Sequence, residues 1–345
     1  MSDLGCLPGI RPLFISGVYR SGTTFLTALI NAHPRFQTAS SSVKFLRFCA
    51  GLYGNMSKLE NRTRLITDTH KRVRTRWDLD FLPSAVEASL KQLSYAGVYD
   101  SIMRQMLRSS LQEGVEWAEK LAVQWDRIED FLTMFPDGKV LHIIRDPRDV
   151  AASYKAMTYE PWPTFLDAAF NSLHAMQTLN KLSKRGLADR LLVIRAEDLA
   201  RKTEEEVAKI CDFLGVESHP AMFDIEQYSA IAGEDWKTNT SFATALKGFP
   251  DGEPRWPNHL ERAEIIFIEM VCQPEMARYG YEGSGLVTEP EDMRAMAIFF
   301  DDTFIQQRFA HYLKTGCGSI GYRTDPRETE LSIVFPDQQV NTEGQ

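Results

Sequence analysis

The chain has 345 residues, 43% of them hydrophobic, with 39 Lys and Arg against 47 Asp and Glu, so its net charge is −8. That composition is too apolar for a disordered chain and lacks the basic excess of a general nucleic-acid or heparin binder, although a local basic pocket remains possible. The length suggests two domains of ~150 residues, and one large α/β domain fits equally well.

The five cysteines, Cys6, Cys49, Cys211, Cys272 and Cys317, are scattered and form no Cys/His set at metal-ligand spacing, which reads as reduced structural thiols. The first ten residues carry no basic stretch leading into an apolar core, and no apolar run approaches the ~18 residues of a membrane span. The expectation is a cytoplasmic protein that engages neither membrane nor nucleic acid. Sequons at Asn55, Asn61 and Asn239 carry no weight without an entry signal.

In chain order, Leu13–Val18 is a short apolar run that passes through Tyr19-Arg20-Ser21-Gly22-Thr23-Thr24 into a helical pattern, Phe25–Asn31, stopped at His33-Pro34. The pattern predicts strand, loop, helix. Helical stretches are expected around residues 85–113, and another from Trp117 to Phe135, closed by the turn Pro136-Asp137-Gly138. Lys139–Ile144 reads as a second strand that ends in Arg145-Asp146-Pro147-Arg148-Asp149, where Asp before Pro favours a helix start. Leu191–Ile194 reads as a third strand, followed by a charged helix to Leu214. Strands alternating with helices predict an α/β protein with a central parallel sheet flanked by helices, whose ligands sit at the carboxyl ends of the strands.

Residues 233–258 read as an ordered loop and Leu260–Tyr279 as one helix. A capping box at Thr288 and Glu291 then predicts an amphipathic helix to about Lys314.

Gly17 to Gly22 has the GxxxxG spacing of a phosphate loop, a weak signal in a chain with 21 glycines. Its position between a strand and a helix is the stronger signal, because backbone N–H groups and the helix dipole there converge on an anion. Thr23 stands where a nucleotide kinase has its lysine, and the cation is Arg20 inside the loop. The bland alternative is a strand–helix turn with a surface arginine. Arg145 at a strand end and Ser153 two turns into the next helix could bind a second phosphate, or could be a helix cap with incidental charge.

Together these two segments resemble the signatures of the sulfotransferases that use 3′-phosphoadenosine 5′-phosphosulfate (PAPS). The resemblance implies a P-loop-NTPase-like sulfotransferase fold and sulfonate transfer to a hydroxyl or amine without a metal. It further implies that Arg20, Ser21, Gly22, Thr23, Thr24 and Phe25 wrap the 5′-phosphosulfate and that Arg145 and Ser153 hold the 3′-phosphate. Glu119-Lys120 is similar to the Glu-Lys or Asn-Lys of carbohydrate and tyrosyl-protein sulfotransferases, which places Lys120 near the sulfonate beside Arg20. Lys237 to Ser241 looks like the late polar segment, which adds Asn239 and Ser241 on the nucleotide. Lys247-Gly248, followed by Arg255-Trp256, looks like the loop that closes over the 3′-phosphate and adenosine.

The resemblance covers residues 10–281. It suggests a sulfotransferase domain over 1–281 and a C-terminal helical extension with a polar tail over 282–345, which could pack on the core, cover the site or mediate dimerisation. The oligomeric state is open.

The family's usual carboxylate after the first helix is missing from Ala39-Ser40-Ser41-Ser42-Val43-Lys44. His70, Asp68, Asp78, Glu116 and Glu119 are the substitutes for an acceptor-side base, with His70 set first by its ordinary pKa of about 6.5. His142 reads as a sheet-face histidine.

The acceptor, a small molecule or a glycan, is not legible. Phe45, Phe48, Tyr53, Trp77, Phe81, Tyr95 and Tyr99 read either as its pocket or as plain core. The basic run from Arg62 to Arg76 is either a solvated face or an attraction for an acidic acceptor. A P-loop kinase and a non-catalytic nucleotide binder are the rival readings.

Overall fold

The structure, a computed structural model, describes residues 4–40, 43–107, 114–157, 162–224, 228, 252–321 and 323. Its centre is a five-stranded, all-parallel sheet: β1 Leu13–Gly17, β2 Phe36–Ser40, β3 Glu116–Lys120, β4 Lys139–Ile144 and β5 Leu191–Arg195. The spatial order is β2-β3-β1-β4-β5. Helix α1, Thr23–Asn31, follows β1, and α2 Phe45–Phe48, α3 Leu59–Trp77, α4 Pro83–Ala88 and α5 Tyr95–Met106 fill the long connection from β2 to β3. Next come α6 Ile128–Met134 before β4, and α7 Pro147–Met157 and α8 Asp167–Lys184 before β5. The chain closes with α9 Ala196–Arg201, α10 Thr203–Leu214, α11 Trp256–His259, α12 Arg262–Cys272, α13 Glu275–Arg278, α14 Pro290–Ala297 and α15 Thr303–Thr315.

Strand alternation sends side chains to two cores. Leu13 and Ile15 pack with Phe25, Leu26, Leu29 and Ile30 of α1 on one face of β1. Phe14 faces the other side, where Trp117, Phe131 and Phe135 meet it. Both faces of the sheet are covered, as an all-parallel sheet requires.

Two expectations need correction. Residues 117–135 are not one helix: Glu116–Lys120 is β3, inserted between β1 and β2, and only Ile128–Met134 is α-helical. Glu and Lys favour a helix locally, and the pairing of Ala118 with both Leu13 and Thr38 overrides that preference. β2 adds an edge strand that the polar stretch Phe36–Ser40 did not announce.

Smaller differences lie toward the C-terminus. The helix expected over Leu260–Tyr279 is divided into α12 and α13 at Gln273-Pro274. Pro274 has no N–H to continue the ladder. The capping box of α14 is formed by Glu289 and Asp292, one residue later than expected.

The described part of the C-terminal segment packs on the core. Phe267 of α12 meets Phe299 at 5.6 Å and Phe309 at 5.7 Å between ring centres. Arg308 of α15 reaches Asp167 of α8 at 2.9 Å, with both side chains buried.

Candidate functional site

The site is assembled at the carboxyl ends of β1, β3 and β4. The turn after β1 demands two glycines. A Cβ on Gly17 would lie 2.7 Å from the Ile143 carbonyl and 2.6 Å from Ser21 Oγ. Gly22, the residue before α1, has φ of 101°, where an L side chain is strained. Ser21 closes the turn from inside: its N–H and its Oγ both bond the Val18 carbonyl, at 3.1 and 2.7 Å.

No side chain caps the start of α1. The first N–H groups of that helix are therefore left for a ligand, with the positive end of the helix dipole behind them.

Arg20 takes the left-handed conformation, φ 70°, a costly choice for a residue with a Cβ. The bend lets its guanidinium donate from Nε to Ser153 Oγ on α7 at 3.2 Å. Arg145 Nη1, from the end of β4, donates to the Arg20 carbonyl at 3.2 Å. The two sequence segments thus interlock, with two guanidinium groups held near each other. Burial, and then repulsion from Arg145, push the pKa of Arg20 down. A bound anion would relieve that repulsion.

Lys120 ends β3 and faces α1, where its Nζ donates to Thr24 Oγ1 at 3.3 Å. Its register partner on β1 is Ile15. It is a buried strand lysine, not a residue on a helix. These bonds link Arg20, Arg145 and Ser153 in one set and Lys120 with Thr24 in another, with Ser21 and Gly22 in the turn between and Thr23 opening α1, whereas the Phe25 side chain is buried in the core against β1. Asn239, Ser241, Lys247 and Gly248 lie outside the described residues.

The candidate bases are scattered. His70 Nε2 lies 2.6 Å from Asp80 Oδ1, and its ring meets Phe81 edge-on, so neither contact leads to Arg20 or Lys120. Glu116 begins β3, at the opposite end of the strand from Lys120. Asp68 accepts from the Tyr53 hydroxyl at 3.1 Å, and Asp78 follows the last turn of α3 at φ 52°.

Glu119 is next to Lys120 but points to the other face of β3, fully buried. It accepts the Lys44 N–H at 2.6 Å and the Tyr99 hydroxyl. Burial raises its pKa to about 7 against these stabilising bonds.

The aromatic residues after β2 are mostly core. Phe45, Phe48, Phe81, Tyr95 and Tyr99 are buried, and Phe45 stacks on Tyr99 at 4.4 Å. The basic run is not one solvated face, since Arg62 pairs with Glu87 and the buried Arg72 donates to the Val43 carbonyl and lies over Phe48.

Several positioning residues were not singled out from sequence. Asp149 lies 3.6 Å from Arg145 and accepts the N–H groups of Arg255 and Trp256 at 2.8 and 2.9 Å. Arg148 pairs with Asp146 and Glu269 and lies 4.2 Å from the centre of the Trp256 ring. Glu197 accepts the Asp146 N–H at 2.9 Å and the Tyr281 hydroxyl at 3.0 Å. The i,i+4 spacing of Arg145 and Asp149 was the available signal for the first of these.

A strand–turn–helix junction with uncapped N–H groups, joined to a second basic strand end, defines an α/β protein of the phosphate-loop kind. The chain belongs to the sulfotransferase family, whose model matches residues 12–220. It is similar to carbohydrate sulfotransferase 1 of Danio rerio, 25% identical over 186 residues, which cover 48% of this chain and 43% of that protein. The corresponding protein of Rattus norvegicus is 24% identical over 179 residues, 46% of this chain and 42% of that one. The match thus spans less than half the length of these relatives.

Among solved structures, the sulfotransferase domain of the Synechococcus PCC 7002 olefin synthase gives a TM-score of 0.54 at 20% identity. It covers 78% of this chain and 98% of that domain. The sulfotransferase domain from the curacin biosynthetic pathway gives 0.52 at 17% identity, covering 81% and 99%. At such identities the likeness shows the fold.

Proposed function

We propose that the protein transfers the sulfonate of PAPS to a hydroxyl or amine of a small-molecule or glycan acceptor. The observation that carries this reading is the Arg20 junction, in which the side chain reaches Ser153 while the carbonyl of the same residue receives Arg145. One residue couples the turn after β1 to the pair suited to a second phosphate. That matches a ligand with anionic groups at two separated positions.

The donor set fits such a ligand. The Cβ-free turn at Gly17 and Gly22, the uncapped N–H groups of α1, and the cations Arg20, Lys120 and Arg145 favour oxyanions over a neutral molecule. Bound PAPS supplies a sulfuryl group whose S–O bond to phosphate breaks as the acceptor's bond to sulfur forms. Arg20 and the first N–H groups of α1 hold the 5′-phosphosulfate. Lys120, steadied by Thr24, offsets negative charge that accumulates on the departing oxygen. Arg145 and Ser153 hold the 3′-phosphate, and Asn239, Ser241, Lys247 and Gly248 complete the nucleotide contacts. Most of the rate enhancement on this reading comes from positioning and charge stabilisation.

We place the working compartment in the cytoplasm, a reading supported by five free cysteines. Among the described residues no helix is long and apolar enough to cross a membrane. A catalytic unit over 1–281 with 282–345 as its extension is likewise our division of the chain.

Titration calorimetry with adenosine 3′,5′-bisphosphate in EDTA tests the reading. Binding is expected without Mg²⁺, weakened at least tenfold by Arg20→Ala and by Arg145→Ala. Mg²⁺-dependent ATP binding in its place would overturn the proposal in favour of a kinase.

A further inference from the structure

The opposite end of the sheet holds a second concentration of positive charge. Arg11 precedes β1, Arg35 precedes β2, Lys139 begins β4 and Arg190 precedes β5, and all four line one cavity of about 390 Å³. That volume is within the range of small-ligand pockets. Glu116, Asp137, Pro136, Leu214 and Val216 form other parts of the wall.

None of the four cations has a carboxylate partner within 4 Å among the described residues, whereas Arg62, Arg104, Arg148, Arg262 and Arg308 all do. Their hydrogen bonds go to main-chain oxygens, and Lys139 also lies 4.9 Å from the centre of the Phe213 ring. Arg35 donates from Nε to Gly114, Arg190 donates from Nη1 to Leu132 and Pro136, and Lys139 donates to Phe213. These bonds fix the side chains in place without neutralising them. The Lys139 bond covers a carbonyl near the end of α10 and the Arg190 bonds cover carbonyls at and just beyond the end of α6, two helix ends beside the cavity whose dipoles disfavour an anion.

The two wall carboxylates do not balance the cations. Asp137 is engaged by the Gly9 N–H at 2.7 Å. Glu116 is held short of ion-pair distance, and burial pushes its pKa up, against the pull of Arg104, Arg11 and Arg35. Four positive and two negative groups leave a net +2 on this wall in a chain whose total is −8. An excess of like charge costs free energy, and the pKa of Lys139 is lowered by burial and then by Arg11, despite Asp212.

We infer that this cavity at the amino end of the sheet binds a phosphate dianion, free or as the end of a small monoester, separately from the nucleotide site. The two sites cannot merge. Leu13 lines the cavity and Gly17, four residues on, opens the Arg20 turn, so ~13 Å of packed strand separates them. Arg11 and Arg35 are exposed and supply guanidinium donors at the mouth, while Lys139 and Arg190 are partly buried and place charge deeper in. The ligand is either the free inorganic ion or the phosphate end of a monoester, since the shared chemistry is a tetrahedral dianion held by forked donors.

The test is phosphorus NMR or calorimetry on the full chain with saturating adenosine 3′,5′-bisphosphate, which fills the nucleotide site. Inorganic phosphate and glucose 6-phosphate are titrated in parallel arms. Saturable binding is expected in at least one arm, and tighter binding of the ester assigns the site to monoesters. Arg11→Ala should weaken it about threefold and the Arg11→Ala/Arg35→Ala double variant at least tenfold, while Arg145→Ala leaves it unchanged. Retained bisphosphate affinity in the double variant shows that it is folded. Absence of binding in both arms, or equal binding to the double variant, overturns the inference. Bisphosphate affinity is measured beforehand by titrating the same preparations, so failure of the nucleotide site is seen separately.

Discussion

The Glu119 carboxylate accepts the backbone N–H of Lys44 at 2.6 Å, tying the residue beside Lys120 to the connection that follows β2. Lys44 is held there at φ 46°, before α2, a conformation that disfavours any residue with a Cβ. The other carboxylate oxygen receives the Tyr99 hydroxyl from α5. A group with no exposed surface and both oxygens occupied acts as a brace. On one face of β3 it sets the backbone at Lys44, while Lys120 on the opposite face of the strand meets Thr24.

Removing that brace should cost stability. Glu119→Ala leaves the Lys44 N–H and the Tyr99 hydroxyl buried without an acceptor, at about 1–3 kcal/mol each. Urea unfolding should show a loss of about 2–6 kcal/mol, most of it regained in Glu119→Gln, which keeps an acceptor for Lys44. Equal losses in the two variants would contradict the brace.

Two buried groups should give stability opposite slopes with pH. Glu119 is raised from 4.5 to about 7, so it binds its proton more tightly when folded. Its contribution is full below pH 4.5 and is lost as pH rises through about 7. His142, fully buried with neither ring nitrogen partnered among the described residues, is lowered from 6.5 to about 3 by burial. Its contribution is present above pH 6.5 and is lost as pH falls toward 3. The ceilings are about 3 and about 5 kcal/mol. Urea melts between pH 4 and 8 should show a shallower acid loss in His142→Leu and a steeper one in Glu119→Gln. Curves parallel to wild type would remove both assignments.

Arg20 trades backbone comfort for position. Glycine accepts φ 70° without penalty, so Arg20→Gly should keep stability within about 1 kcal/mol of wild type, the relieved strain offsetting the lost Ser153 bond. Sulfonate transfer should fall at least 100-fold, as expected when a charge-stabilising donor is removed. A stable and active glycine variant would mean that Arg20 only shapes the turn.

The C-terminal helices belong energetically to the sheet domain. Arg308 pairs with Asp167 at 2.9 Å and also donates to the Ser319 carbonyl. Arg308→Ala strands a buried carboxylate and should lower stability by about 3–5 kcal/mol. Thermal unfolding should remain a single transition at a lower temperature. An unchanged midpoint would show that α15 is dispensable to the fold.

The short runs Leu13–Val18 and Lys139–Ile144, each followed by a charged turn and a helix, were enough to establish a parallel α/β sheet from the chain alone. Residue type and spacing singled out Arg20, Arg145 and Ser153, because a cation at a strand end beside Gly, Ser or Thr carries its chemistry locally, whereas Lys120 was singled out by the resemblance alone and expected on a helix. Local sequence could not reveal that Glu116–Lys120 is a strand, since its backbone gains partners only once β1 and β2 flank it. That placement turned Lys120 inward to Thr24 and sent Glu119 to the opposite face. His70 lies on Asp80, away from the strand ends.

The acidic total of −8 was readable at once, but its distribution was not. Parallel strands carry residues far apart in sequence to the same two ends. Arg20, Lys120 and Arg145 therefore gather at one end and Arg11, Arg35, Lys139 and Arg190 at the other.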